Sequence, residues 1–236
     1  MSGGSLASRD VTALNLPEHA RNPIHTDAGA VAAGFPAALV AGVSTYAYLT
    51  HVPMAAWGLD WVASGGAEVR FELPVFDRDR LRCVVAGQEV RATVDGSVRA
   101  TAQLWREAAP VPPSRDGDAL EPYVVELGPE WVGLAARLGD PQPVLEAEGI
   151  VHPGAWPDLA NQVVHRQLAR GAWIHTRSRI QHHALAHLGG RAELTSTVVD
   201  RFRTRTGERA VLDVLVRVDG EVVASIEHEA IVALAG

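Results

Sequence analysis

Residues 38–58 read ALVAGVSTYAYLTHVPMAAWG, a stretch with no Lys, Arg, Asp or Glu. Val40, Val43, Ala47 and Tyr48 fall near helical spacing. The stretch is apolar almost all round, so the helix belongs inside the molecule rather than on its surface. Ala37, Ala38, Ala41, Gly42 and Ser44 are small, which lets a sheet wrap closely around it. A start near Ala37 is expected, with Pro53 and Gly58 ending the helix.

Downstream the period changes from helical to alternating. In GAEVRFELPVF (66–76), Val69, Phe71 and Leu73 share one face and Glu68, Arg70 and Glu72 the other. DRDRLRCVVAGQEVRA (77–92) and DGSVRATAQLW (95–105) continue in the same style, with a hairpin signal at VDG, 94–96. Upstream, VTALNL (11–16) reads as an opening strand stopped by Pro17. DAGAVAAG (27–34) reads as a short helix capped by Thr26 or Asp27 and broken by Gly34 and Pro36.

The plan then repeats. EAAPVPPSRDGD (107–118), rich in Pro and charge, reads as a linker. Beyond it lie a helix at WPDLANQVVHRQLARG (156–171) and strands over 172–185 and 192–234. The last hairpin, around VRVDGEVV, echoes VRATVDGSVRA of the first half, an internal period of about 110 residues. A buried helix wrapped by a curved antiparallel sheet, made twice, is an α+β double hot-dog. Joining the two sheets would protect one strand edge of each unit. The expected units are residues 1–106 and a degenerate second copy at 121–236, with 107–120 between them; an unrelated α+β sandwich is the alternative.

Before the central helix stands HARNPIHTDAG (19–29). Asn22 precedes Pro23 and is kept out of the α region, so the chain turns there. NPIHTD followed by AAGFP (32–36) and VAGV (40–43) resembles the MaoC-like hydratase and dehydratase family, relatives of the (R)-specific enoyl-CoA hydratases. The resemblance covers residues 11–105, and residues 149–236 only as a generic hot-dog. It implies an acyl-CoA or acyl-carrier-protein substrate, no cofactor or metal, and a homodimer. Carried onto this chain, it implies His25 as base, Asn22 as positioner and the Gly42 amide as the clamp on a thioester carbonyl. Gly42 equally suits close helix–sheet packing.

One position departs from the pattern. Where the family has Gly-Asp, this chain has His19 and Ala20. The aspartate and histidine of the family together hold one water, and Ala20 cannot. Glu18, His19 and Asp27 are the candidates to replace the carboxylate, although Asp27 can serve as a helix cap and Glu18 as a solvated loop charge. Three functions stay open: hydration or dehydration of an acyl thioester, thioesterase or other thioester- or polyketide-modifying chemistry, and non-catalytic acyl-thioester binding.

Composition narrows the field further. The chain has 236 residues, is 47% hydrophobic and carries a net charge of −7. Its basic residues are scattered among acids, which argues against nucleic acid. No run of about 18 apolar residues marks a membrane span. The sole cysteine, Cys83, alternates with Leu81 and Val85 as a strand core residue and fits a reducing cytoplasm. His183 and His187 are spaced like metal ligands but lack a zincin glutamate, and GVSTY (42–46) does not make Ser44 an elbow nucleophile. DLANQVV (158–164) and HTRSRI (175–180) are candidates to line a substrate tunnel. Trp57, Trp61, Trp105, Trp131, Trp156 and Trp173 are expected as core or interface anchors.

Overall fold

The computed structural model describes residues 4–235; residues 1–3 and 236, the ends of the two expected units, lie outside the described residues. The chain opens with β1 (Arg9–Thr12) and 3₁₀ turns at Pro17–Arg21 and Pro23–His25. Then come α1 (Asp27–Ala32), α2 (Gly42–Ser64), β2 (Gly66–Phe71), β3 (Arg80–Ala86), β4 (Glu89–Val94) and β5 (Ser97–Trp105). Short elements follow: β6 (Asp118–Ala119), β7 (Tyr123–Glu126), α3 (Pro129–Val132), α4 (Leu134–Arg137) and α5 (Pro143–Glu148). The second half closes with α6 (Ala155–Gln167), β8 (Ile174–His182), β9 (Arg191–Thr204), β10 (Gly207–Val218) and β11 (Glu221–Leu234).

All the strands belong to one 11-stranded sheet in the order β1-β3-β4-β5-β2-β8-β11-β10-β9-β6, with β7 also on β9. Outward from the central β2–β8 seam, each half runs first strand, fourth, third, second. The same topology therefore occurs twice, once wrapped on α2 and once on α6, and the fold is a double hot-dog. At the seam Ala67 pairs with Ile180 and Val69 with Ser178, antiparallel. Ala67, Val69 and Ile180 are fully buried, so the two sheet halves share one hydrophobic core. The Asp-Gly hairpins turn as expected: Asp95 and Gly96, and Asp219 and Gly220, all have positive φ.

Several boundaries differ from the expectation. The opening strand is Arg9–Thr12 rather than 11–16, because β1 pairs with β3 only from Arg9↔Cys83 to Thr12↔Arg80. The central helix starts at Gly42, not near Ala37. Residues before it are spent on extended pairing: Leu39 N–H donates to Ile24 O at 2.9 Å and Val40 N–H to Val75 O at 2.8 Å. Pro53 sits inside the helix without ending it. Gly58 (φ 63°, ψ −152°) breaks the helical path, and the chain resumes helix to Ser64. The strand after it stops at Phe71, which leaves Leu73, expected on its buried face, 50% exposed.

Candidate functional site

A cavity of about 250 Å³ lies where the two units meet. The first unit contributes Asn22, His25, Gly42, Thr45 and Phe71; the second contributes Asn161, Trp173, His175, Thr176 and Arg209. Asn22, His25 and Gly42, assigned by resemblance, thus share one cavity wall. Glu18, His19 and Asp27 are not on it.

The local fold explains the placement. Asn22 is extended (φ −93°, ψ 118°), as a residue before proline must be. The Pro23–His25 turn that follows swings His25 back under the start of α2. His25 Nδ1 donates to Leu39 O at 2.7 Å, which fixes the tautomer and leaves Nε2 as the lone-pair nitrogen. Burial lowers the imidazole's pKa, opposed by the Leu39 hydrogen bond and assisted by the Arg21 charge. His25 is therefore neutral at neutral pH and able to accept a proton.

Both ends of the Asn22 amide bond to protein. Its Nδ2 donates to Trp173 O at 2.9 Å, and its Oδ1 accepts from Trp173 N–H at 3.4 Å. The asparagine of the motif ties the second unit's Trp173 to the first unit, which leaves one amide N–H to face the cavity.

Gly42 is the first residue of α2, with Ala41 as N-cap and no side-chain cap. Ser44 N–H and Thr45 N–H both donate to Ala41 O, at 3.0 and 3.1 Å. The Gly42 amide has no intrahelical partner, as expected for the first N–H of a helix, and the dipole favours negative charge there. A Cβ at Gly42 would meet the Phe71 ring at 3.2 Å, so a larger residue there would push that ring by a few tenths of an ångström.

The candidate carboxylate substitutes are engaged elsewhere. Glu18 pairs with Arg137 of α4. Burial pushes its pKa up, but a backbone hydrogen bond and Arg137 outweigh that and hold it below the ordinary value. Asp27 accepts from Ala38 N–H at 2.9 Å and braces the loop, while Thr26 caps α1 by accepting from Gly29 N–H at 3.2 Å. His19 is buried with Nε2 3.3 Å from Ser44 Oγ, its pKa pushed down to about 3 by burial and by His25. Among the described residues the only carboxylate lining the cavity is Glu72, exposed at the rim and accepting from Thr101 Oγ1 at 2.8 Å. Asp158 on α6 is buried 3.8 Å from Arg21 and is off the lining; burial raises its pKa to about 6.

Of the second unit's contributors, Asn161 lies in DLANQVV and His175 and Thr176 in HTRSRI, the stretches expected to line a tunnel, while Trp173 was expected only as an anchor and Arg209 was not assigned. Asn161 Oδ1, Trp173 Nε1 and His175 Nδ1 are buried without a hydrogen-bond partner, and so are Arg99 Nε and Arg209 Nε. Each such orphan costs about 1–3 kcal/mol when left unpaired. His175 Nε2 lies 2.8 Å from Ser178 Oγ, which lies 2.8 Å from His228 Nδ1. Burial and the neighbouring His228 hold the His175 pKa well below its ordinary value.

Cys83, Ser44, His183 and His187 fall outside the cavity. Cys83 is buried in the core, where desolvation pushes its thiol up to about 12. His183 Nε2 contacts Ser225 Oγ at 2.9 Å, and His187 sits in a bridge with Ile150. Ser44 faces His19. Trp61, Trp131, Trp156 and Trp173 are buried, as anchors should be. No helix among the described residues is long and apolar enough to cross a membrane.

Solved structures share this architecture. A conserved hypothetical protein from Mycobacterium tuberculosis, described as having a double hotdog fold, matches with a TM-score of 0.69 at 15% identity, over 98% of this chain and 96% of that one. A MaoC-like dehydratase matches with a TM-score of 0.64 at 14% identity over 99% of both chains. An acyl-ACP thioesterase from Bacteroides thetaiotaomicron matches with a TM-score of 0.51 at 10% identity, over 95% of this chain and 97% of that one. No protein-family model matches the chain, and no curated protein matches it by sequence. The molecule is thus a double hot-dog protein, and its fold is that of MaoC-like dehydratases and of acyl thioesterases alike.

Proposed function

We propose that this protein adds water to, or removes it from, the α,β-position of an acyl thioester carried on CoA or an acyl carrier protein. The observation that carries the reading is the joint placement of the His25 imidazole and the uncapped Gly42 amide on one cavity. His25 Nε2 takes a proton from water as the oxygen bonds to the β-carbon. The electrons of the double bond move through the α-carbon onto the thioester oxygen, where the Gly42 N–H and helix dipole stabilise the charge. The proton on His25 then passes to the α-carbon, so one imidazole serves as base and then as acid. This replaces the paired carboxylate that Ala20 removes. Arg99, on the lining, suits an anionic carrier, whereas Arg209 is paired with Glu229.

A second reading keeps the site and changes the target atom. With no carboxylate in the depth of the cavity, water activated by His25 would attack the thioester carbonyl itself, expelling thiol; the thioesterase among the similar structures supports it. Incubation with crotonyl-CoA and with 3-hydroxybutyryl-CoA separates the two. Hydration is followed by loss of the enoyl absorbance, and hydrolysis by release of free CoA thiol. Hydration by wild type and its loss in His25→Ala is the expected result. Thiol release without hydration moves the assignment to hydrolysis. A rise in melting temperature with acyl-CoA and no product would make the protein a binder.

A further inference from the structure

Water-addition chemistry needs His25 and Gly42, yet the half of the cavity facing them is unexpectedly polar. Asn161, Trp173 and His175, all from the second unit, line it, and each carries a buried polar atom with no protein partner. A wall built for a plain alkyl chain gains nothing from such atoms and is better served by Leu, Val or Phe. The three groups also complement one another. Trp173 Nε1 can only donate. The Asn161 amide offers a donor and an acceptor. His175 offers whichever role its tautomer leaves at Nδ1 once Nε2 is engaged with Ser178. Their positions are held from behind. Asn22 fixes the Trp173 backbone on both sides, and Phe71 packs edge-on against His175 with ring centroids 4.7 Å apart.

We propose that the second unit forms an acyl-recognition subsite for an oxygenated chain, one bearing a hydroxyl or keto group beyond the reacting carbons, rather than for a simple fatty acyl chain. The inference rests on the reading of the cavity as an acyl-thioester site and names the class of acyl group. A substrate oxygen at Trp173 accepts from the indole N–H, and a hydroxyl there also donates to Asn161 Oδ1, the unpartnered atom of that amide. An alkyl chain leaves both unpaired, and sites that hydrogen-bond a substrate oxygen reject analogues lacking it.

The test uses binding, so that it does not depend on turnover. Calorimetry compares hexanoyl-CoA with 5-hydroxyhexanoyl-CoA and 5-oxohexanoyl-CoA on wild type, Asn161→Leu and Trp173→Phe. The expected result is that one oxygenated chain binds wild type at least about tenfold more tightly than hexanoyl-CoA. Either substitution should erase that advantage while hexanoyl-CoA binds as well as before or better. Equal or weaker binding of both oxygenated chains overturns the inference and leaves the thioester reading standing. So do variants that weaken all three ligands alike, which would mark Asn161 and Trp173 as merely structural. Failure of every acyl-CoA to bind removes the thioester reading and this inference with it.

Discussion

At the scale of single residues, the proposed chemistry depends on one hydrogen bond. The Leu39 carbonyl selects the tautomer of His25, and burial keeps that ring neutral. Replacing His25 by Gln should lower turnover about 10²- to 10⁴-fold with little change in melting temperature. Because the pKa of His25 lies below its ordinary 6.5, the rate should stay level as pH falls through 6.5 and decline only below it. An acid limb centred at 6.5 or higher in a pH–rate profile would count against His25 as the base. Asp158 gives an independent check on burial. Its folded pKa of about 6 exceeds the unfolded value, so ionisation weakens the fold as pH rises from about 4 to 6. Asp158→Asn should therefore match wild type near pH 4 and exceed it by about 2–3 kcal/mol in denaturant melts above pH 6. The sequence offered Asn22 and His25 through the resemblance of the NPIH motif, and Pro23 fixed only the extended backbone of Asn22. It could not disclose that the Asn22 amide bonds to Trp173, a partner 151 positions away.

At the scale of elements, the central helix shows what local pattern conveys and what it misses. Its apolar character and burial were legible, since no surface helix lacks a polar face. Its start was not. Ala37–Ala41 have helical propensity, but Leu39 and Val40 gain backbone partners in Ile24 and Val75 that exist only in the folded chain. Pro53 was read as a stop, and burial of Val52, Pro53 and Met54 in the core holds the helix through it. Gly58 is the real interruption, with a backbone conformation that side chains bearing a Cβ avoid and open space around it. Gly58→Ala should cost about 1–3 kcal/mol in urea unfolding through backbone strain alone, with acyl-CoA binding unchanged. Gly42→Ala differs: its methyl group would press on Phe71, so acyl-CoA binding should weaken several-fold even where the helix survives.

At the scale of the whole molecule, the repeated strand order about the β2–β8 seam confirms the double hot-dog that the alternating patterns and the two Asp-Gly hairpins indicated. The asymmetry between halves was legible in outline, as a degenerate second copy whose DLANQVV and HTRSRI stretches could line a tunnel, but spacing says nothing of which of their side chains reach the first unit's motif. Burial of histidines is spread across both units. His19, His152 and His228 are pushed down to about 3 and His182 to about 4, with desolvation the first cause of each, and His175 is also lowered. Below pH 6.5 the unfolded chain takes up protons that the native chain refuses, so stability present above 6.5 is lost as pH falls. Each such ring adds up to about 1.4 kcal/mol per pH unit to the slope, against the single opposing contribution of Asp158. Melts between pH 7 and 4.5 should show a steep fall, and a flat profile would mean the rings are solvated.

Because strands 2 and 8 are joined within one polypeptide, the two walls of the cavity are permanently tethered neighbours. Where separate hot-dog subunits must find each other to complete a shared site, tethering raises the local concentration of the second wall to about millimolar. Specific activity should therefore hold constant on dilution to nanomolar enzyme, whatever larger assembly the chain joins. Freed from matching a copy of itself, each half can also drift in sequence independently, one keeping the reacting groups and the other reshaping what they are allowed to meet.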